Sequence, residues 1–276
     1  MAFSARGSFG GASCDGRFRY AQPTHRHRQA ASGARLRLVA GWQGQLPGRP
    51  GGRGGAAGGG AGQRGAEPGV HASRVRLAGG AGVDQFLDIG TGIPTEPNLH
   101  QVVQAVTPHA RVVYADNDPI VLRHAEALLV SCPEGRTDYI HADVREPMAI
   151  VERASRTLDF GRPVALSLIA LMHFLPDDQD PYGITRTLVE ALPPGSYLVL
   201  SHGTADQHPE LRRETESAYK KGAIALRMRT RAEVEPFFEG LELVDPGLVT
   251  APEWYQEQPA PVYERSGFYV GVARVP

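Results

Sequence analysis

The chain changes character near residue 80, and that break limits where a core can form. Of 33 glycines in 276 residues, 20 lie in the first 80 positions. The same stretch carries 12 of the 29 basic residues, all arginine, against only Asp15 and Glu67. It is therefore strongly basic, and the remainder, with 17 basic and 28 acidic residues, is acidic; the net charge of −1 hides the difference. The tract from Gly48 to Gly69, GRPGGRGGAAGGGAGQRGAEPG, has no sustained period of 2 or 3.6. Its apolar residues are too few to offset a backbone ordering cost of about 1–2 kcal/mol per residue, so residues 1–76 are expected to be disordered. Arginine mixed with glycine can tether nucleic acid, but the interleaved aromatics that stack on bases are missing here. The arginine-rich, acid-poor start resembles a transit peptide, yet its glycines oppose the amphipathic helix such peptides form.

Cys14 and Cys132 fall one on each side of the break, which gives no disulfide framework and suits a reducing compartment. No run approaches 18 apolar residues, and the N-terminus has no apolar signal core. The expectation is a cytoplasmic protein without a membrane partner.

Beyond residue 80 the pattern is regular. QFLDIG (85–90), ARVVYADND (110–118), TDYIHAD (137–143), PVALSLIALMHF (163–174) and GSYLVLSH (195–202) each hold a short apolar run of the kind found in buried parallel strands. Between them, Leu99, Val102, Val103 and Val106 mark one helical face, with Pro97 suited to the first turn. Asp118–Pro119 reads as an N-cap followed by an N1 proline, with Val121, Ala125 and Leu128 behind it. Ile184, Leu188 and Ala191 mark a further helix, and TRAE (230–233) is a capping box. LELV (241–244) and GFYVGVAR (267–274) have no helical pattern between them and can pair antiparallel at a sheet edge. The predicted fold over 77–276 is a doubly wound α/β sheet, mostly parallel, with an antiparallel C-terminal edge pair.

Ligands of open α/β sheets bind beyond the carboxyl ends of the strands, so the strand ends carry the chemistry. Gly90 and Gly92 permit a tight turn and a close approach of backbone to ligand. Asp116 ends the second of these strands, where a carboxylate can accept both ribose hydroxyls, and Asp143 ends the third, near where an adenine amino group would lie. A nicotinamide dinucleotide fits poorly. The third glycine of its fingerprint is replaced by Thr95, and Pro94 removes a backbone donor where a pyrophosphate would want one. Asp88 opens the glycine loop; it would repel a pyrophosphate but suits an ammonium or sulfonium. A ligand with adenosine at one end, an amino acid at the other and no phosphate is S-adenosylmethionine.

The ordered set Asp-x-Gly-x-Gly, an acid after strand two and an aspartate after strand three resembles the class I methyltransferase pattern. QFLDIGTGIPTEPNLHQVVQAVTPHARVVYADNDPIVLRHAEALL, HADVREP, SLIALMHFLPD and FFEGLELVDPGLV resemble one bacterial family of S-adenosylmethionine-dependent methyltransferases, over about 77–276. By that resemblance Asp88, Gly90 and Gly92 hold the methionine part, and Asp116 and Asn117 the ribose. Asp143 and Val144 frame the adenine, and Ser167 and Ile169 line the floor. His173, just past strand four, is the candidate base for an acceptor that must lose a proton. His202 and Tyr182 are candidate substrate contacts. No cysteine or carboxylate spacing around His173, His202 and His208 argues a metal site. The loop that serves DNA base methylation is absent, so the expected acceptor is a small molecule. The alternative is a cofactor-binding module without turnover.

The family has a helical N-terminal segment with a phrase like LGGKDNF that helps to close the cofactor site. Ala40–Pro47, AGWQGQLP, admits a coding sequence that one nucleotide later reads LGGKDNFP. GRPGGRG can likewise become ADREAA, and GVHASR can become AFMRR. The expectation is that much of residues 1–76 is a frameshifted translation, with the frame regained near Val75–Ala78.

Overall fold

The computed structural model describes residues 36–39, 74–77, 83–92, 98–121, 123, 131–221, 224–254 and 267–276. Within the N-terminal region, β1 (Leu36–Val39) and β2 (Arg74–Leu77) form an antiparallel ribbon, with Leu36 opposite Leu77. Each is a four-residue alternation, too short to register as a sustained period. The rest of residues 1–82 lies outside the described residues.

The sheet is built from β3 (Gln85–Ile89), β4 (Arg111–Asp116), β5 (Arg136–His141), β6 (Ala165–Ile169), β7 (Tyr197–Gly203), β8 (Glu242–Leu243), β9 (Val249–Thr250) and β10 (Phe268–Arg274). Its order is β5-β4-β3-β6-β7-β10-β8, with β9 also on β10. Strands β3 to β7 pair in parallel, and β10 runs antiparallel between β7 and β8. The C-terminal antiparallel pair is therefore present, with LELV shortened to Glu242–Leu243.

Successive residues of a strand point to opposite faces, and both faces of this sheet are covered, which is why its strands read as continuous apolar runs. Leu87, Val113, Ala115, Leu166, Leu168, Leu198 and Leu200 pack on one face with Ile150 and Leu188 from the helices Pro147–Ala154 and Pro181–Glu190. Phe86, Val112, Tyr114, Ala165, Val199 and Val272 pack on the other. Each valine, leucine, isoleucine or phenylalanine among them contributes about 1.5–3 kcal/mol on full burial.

One local expectation changes. The helix Leu99–Gln104 buries His100, Val103 and Gln104, and Val106 is 63% exposed beyond its end. Gln104 is held inside by hydrogen bonds: its Nε2 donates to Ala110 O, and its Oε1 accepts from Cys132 N. The helix after Asp118 begins at Pro119, with Asp118 Oδ1 accepting from Ile120 N at 2.8 Å, as an N-cap should. Val121 is buried, whereas Ala125 and Leu128 lie outside the described residues.

From β3 the chain winds outward to β4 and β5, then returns to β6 on the other side of β3. The switch point of the sheet therefore lies between β3 and β6, and its crevice opens at their carboxyl ends.

Candidate functional site: the crevice at the ends of β3, β4 and β6

The central strands are almost wholly buried, and the exceptions are informative. In β3 only Asp88 is partly exposed; in β6 only Ser167 and Ile169 are. Asp88 pairs directly with Ser167 across the two strands. Asp88 accepts a hydrogen bond from the Ser167 hydroxyl, yet burial still raises its carboxyl to about 6, with the Asp116 charge adding to the shift. A carboxylate in such a place is short of a cation.

Past Ile89 the backbone turns through Gly90 (φ 77°) and Gly92 (φ 66°), a region L side chains rarely adopt. The Gly90 N–H donates to Ala115 O at 2.8 Å, and the Gly92 N–H donates to Asp116 Oδ2 at 2.8 Å. The loop is thus folded onto the end of β4. A Cβ on Gly90 would lie 2.8 Å from the Leu171 side chain, while one on Gly92 would meet none of the described residues within 4 Å. Gly92 is clear of the described residues on that side, and Gly90 is closed over by Leu171. Ile93–Pro97 lie outside the described residues.

Asp116 Oδ1 accepts from Asp118 N at 2.9 Å, so backbone donors hold both its oxygens in place. Asn117 is exposed, and its Nδ2 donates to Asp143 Oδ2 at 3.3 Å. Arg145 forms a fork on Asp143, Nε to Oδ1 at 2.9 Å and Nη2 to Oδ2 at 2.6 Å, and its N–H also donates to Oδ1. These hydrogen bonds hold the Asp143 carboxyl down at about 2. The structure therefore brings Asp88, Gly90, Gly92, Asp116, Asn117, Asp143, Ser167 and Ile169 to the strand ends, while Val144, next to Asp143, is buried in the core with Leu87, Ile140 and Ile150.

The three acceptor-side candidates lie elsewhere, in a buried cluster around Arg229. That arginine is 1% exposed. Its Nη1 donates to Met172 O and to His202 Nε2, and its Nη2 donates to Leu175 O and Asp177 Oδ1. The guanidinium lies over the rings of Tyr182 and Phe237 at 5.4 and 5.7 Å. His202 is fully buried, with Nδ1 on Gly203 O at 2.8 Å, so both ring nitrogens are occupied within the protein. The Tyr182 hydroxyl donates to Glu233 O at 2.7 Å. His173 sits in the turn Met172–Phe174, buried, with Nδ1 accepting from the Gly203 N–H at 3.3 Å. Burial, then the Arg229 cation, push it down to about 4. His202 and Tyr182 are thus bound into this cluster rather than displayed to a substrate, because their polar atoms are already paired inside the protein.

Sequence reasoning missed Arg229, Arg145 and Leu171. It also missed Ala170, which holds φ 52° at the end of β6 while its N–H donates to Ser201 Oγ at 2.9 Å. Among the described residues no group of three His, Cys, Asp or Glu side chains is placed to hold a metal ion, and no helix is long and apolar enough to cross a membrane.

A doubly wound sheet with an antiparallel strand slipped in before its last strand, and a glycine turn joined to the carboxylate of the next strand, defines the class I methyltransferase fold. A family model described as S-adenosyl methyltransferase matches residues 70–276, and the chain belongs to that family. The structure of a DUF574 family protein from Streptomyces avermitilis is 49% identical, over 72% of this chain and 78% of that one, with a TM-score of 0.69. A structure of a protein from Thermobifida fusca is 36% identical, over 72% of this chain and 76% of that one, with a TM-score of 0.63. A search of curated proteins gives no match. The cofactor of the family is S-adenosylmethionine. The residues present fit it: among the described residues no cation pairs with Asp88 and nothing would meet a Cβ on Gly92, and Asp116 is fixed by backbone donors.

Proposed function

We propose that this chain transfers the methyl group of S-adenosylmethionine to a small-molecule acceptor. The observation that carries the reading is the Asp88–Ser167–Ile169 opening, the partly exposed part of β3 and β6, which lies at the switch point beside the glycine turn. Asp88 would face the cationic amino-acid end, and Gly92 would let the ligand approach the backbone. Asp116 and Asn117 would take the ribose, and Asp143 and Val144 would frame the adenine. When bound, the cofactor supplies an electrophilic methyl group on a sulfonium. The protein's own part is to hold and orient the two reactants, which can supply several kcal/mol of the barrier lowering.

The acidic balance of residues 81–276 supports a small acceptor, since a nucleic acid would meet net repulsion there. Residues 1–76 are read as a segment translated largely out of frame, so that the part of the family that closes the cofactor site is missing.

The experiment is calorimetric titration of the full chain with S-adenosylmethionine, followed by assay of S-adenosylhomocysteine release with fractionated small metabolites. No heat of binding at about 1 mM cofactor removes the reading. Release driven only by nucleic acid or protein substrates removes the small-molecule part.

A further inference from the structure

Asp143 stands just past β5, where an adenine amino group is expected, yet its carboxylate is already in full use. An ionised carboxylate can only accept, at about four positions, two on each oxygen. Oδ1 takes the Arg145 backbone N–H and Nε, each at 2.9 Å. Oδ2 takes Arg145 Nη2 at 2.6 Å and Asn117 Nδ2 at 3.3 Å. The same bonds hold the carboxyl at about 2, so at neutral pH it has no proton to donate.

The arrangement is local and built into the chain. Strand β5 ends with His141 opposite Asp116, and Ala142 N donates to Asp116 O at 3.0 Å. The backbone then turns, with Glu146 N donating to Asp143 O at 2.9 Å before the helix Pro147–Ala154 begins. Arg145 lies in that turn, two residues past Asp143, so its own N–H and its side chain reach one carboxylate together. Guanidinium and carboxylate meet as two planar forks, the geometry in which such pairs are strong. Asn117 is held from two sides as well: its amide nitrogen lies on Asp143, and its backbone O accepts from His141 Nε2 at 3.0 Å. Because a carboxylate only accepts, Asn117 must turn its NH2 toward Asp143 and its Oδ1 away from it.

We infer that Asp143 is a positioning residue, which fixes Arg145 and Asn117 at the purine end of the crevice and does not itself receive the 6-amino group of the cofactor's purine. This rests on the methyltransferase reading above. Asp143 can border the adenine, but each of its acceptor positions is taken by the protein. Its charge then contributes nothing to telling a 6-amino purine from a 6-oxo purine. Removing Arg145 creates that discrimination, because it frees the carboxylate.

Calorimetric titration of the full chain with S-adenosylhomocysteine and with its 6-oxo counterpart, S-inosylhomocysteine, tests this through the ratio of the two affinities. The Arg145 side chain is 55% exposed and that of Asp143 22%, so variants at both positions are expected to fold. In Arg145→Gln the freed carboxylate can accept the amino group. Preference for the adenosyl ligand is expected to rise about tenfold or more, the worth of one hydrogen bond to a charged group. Asp143→Asn keeps the shape but loses the charge that holds Arg145. It is expected to weaken both ligands alike, by about two- to fivefold, the worth of an exposed ion pair, with their ratio unchanged. An Arg145→Gln ratio equal to that of the wild type, or an Asp143→Asn ratio moved toward the inosyl ligand, means that the wild-type carboxylate already reads the amino group, and overturns the proposal. Undiminished binding of both ligands by Asp143→Asn overturns the positioning role. Absence of binding of either ligand to the wild type is a different failure: it removes the cofactor reading, and this inference with it.

Discussion

The backbone N–H of Gly92 donates to the Asp116 carboxylate at 2.8 Å, and this hydrogen bond ties the loop after β3 to the end of β4. One side chain thus does two things: it shapes the glycine turn and stands where a ribose is expected. Asp116→Ala removes the acceptor for Gly92 N and for Asp118 N together. Hydrogen bonds to a charged group are worth about 1.5–3 kcal/mol each at most, so the expected cost to thermal stability is of that order. Cofactor affinity by calorimetry is expected to fall by more than tenfold. Unchanged affinity in a folded Asp116→Ala protein contradicts the ribose assignment.

The two glycines of the turn separate stability from binding. Gly90→Ala places a methyl group against Leu171 at a positive φ, so a loss of about 1–3 kcal/mol is expected on chemical denaturation. Gly92→Ala meets none of the described residues and carries the backbone strain alone, about 1 kcal/mol, but is expected to intrude where the ligand approaches. The Gly92 variant is expected to be the more stable of the two and still to bind cofactor poorly. Tight binding by Gly92→Ala would place the ligand elsewhere.

Asp88 predicts a pH dependence with a definite sign. Its folded carboxyl is raised from 3.8 to about 6, chiefly by burial. The folded chain therefore holds this proton more tightly than the unfolded chain. The contribution to stability is complete below the ordinary aspartate range and is lost as pH rises through about 6. A cationic ligand favours the ionised form, so cofactor affinity should rise with pH through the same region and then level off. Calorimetry at about pH 5 and pH 7.5 checks this, with Asp88→Asn expected to show a flatter profile. Equal wild-type affinity at the two pH values contradicts the placement of the cationic end beside Asp88.

Arg229 anchors the loop after β6. Arg229→Met keeps apolar bulk but leaves the carbonyls of Met172 and Leu175 and the His202 Nε2 without their donor. Breaking a buried charged cluster from one side costs about 3–5 kcal/mol, so a fall in melting temperature well beyond that of an exposed Arg→Met control is expected. A variant as stable as the wild type would show that the cluster contributes nothing net.

Much of this was open to sequence reasoning, for reasons tied to particular residues. Strand cores such as Leu87 and Leu166 stand out because a sheet covered on both faces demands unbroken apolar runs. Asp88, Gly90, Gly92, Asp116 and Asp143 are findable because they follow those runs, and the ends of parallel strands are where sites form. Arg229 is not findable. Nothing in RMRTRAE separates it from Arg227 or Arg231, since arginine is rarely buried and the loop carbonyls that receive it are distant in sequence. The same holds for His173. Its position past β6 is legible, but the use of its Nδ1 by Gly203, 30 residues away, is not. Val106 fits the helical period but lies past the helix end, because periodicity carries on through an end that tertiary contacts of Gln104 decide.

The frameshift reading makes a prediction about the gene. The DNA encoding Ala40–Pro47 should read LGGKDNFP in the next frame, and sequencing it decides the matter. A protein made from the restored frame is expected to bind cofactor more tightly and turn over faster than this chain. Equal affinity and activity in the two proteins contradict the idea that a closing segment has been lost.

The most direct measurement is calorimetric titration of the full chain with S-adenosylmethionine beside the Asp116→Ala variant at the same concentrations. The account predicts saturable one-to-one binding by the wild type, weakened more than tenfold in the variant. Absence of binding at about 1 mM, or binding indifferent to Asp116, would contradict it.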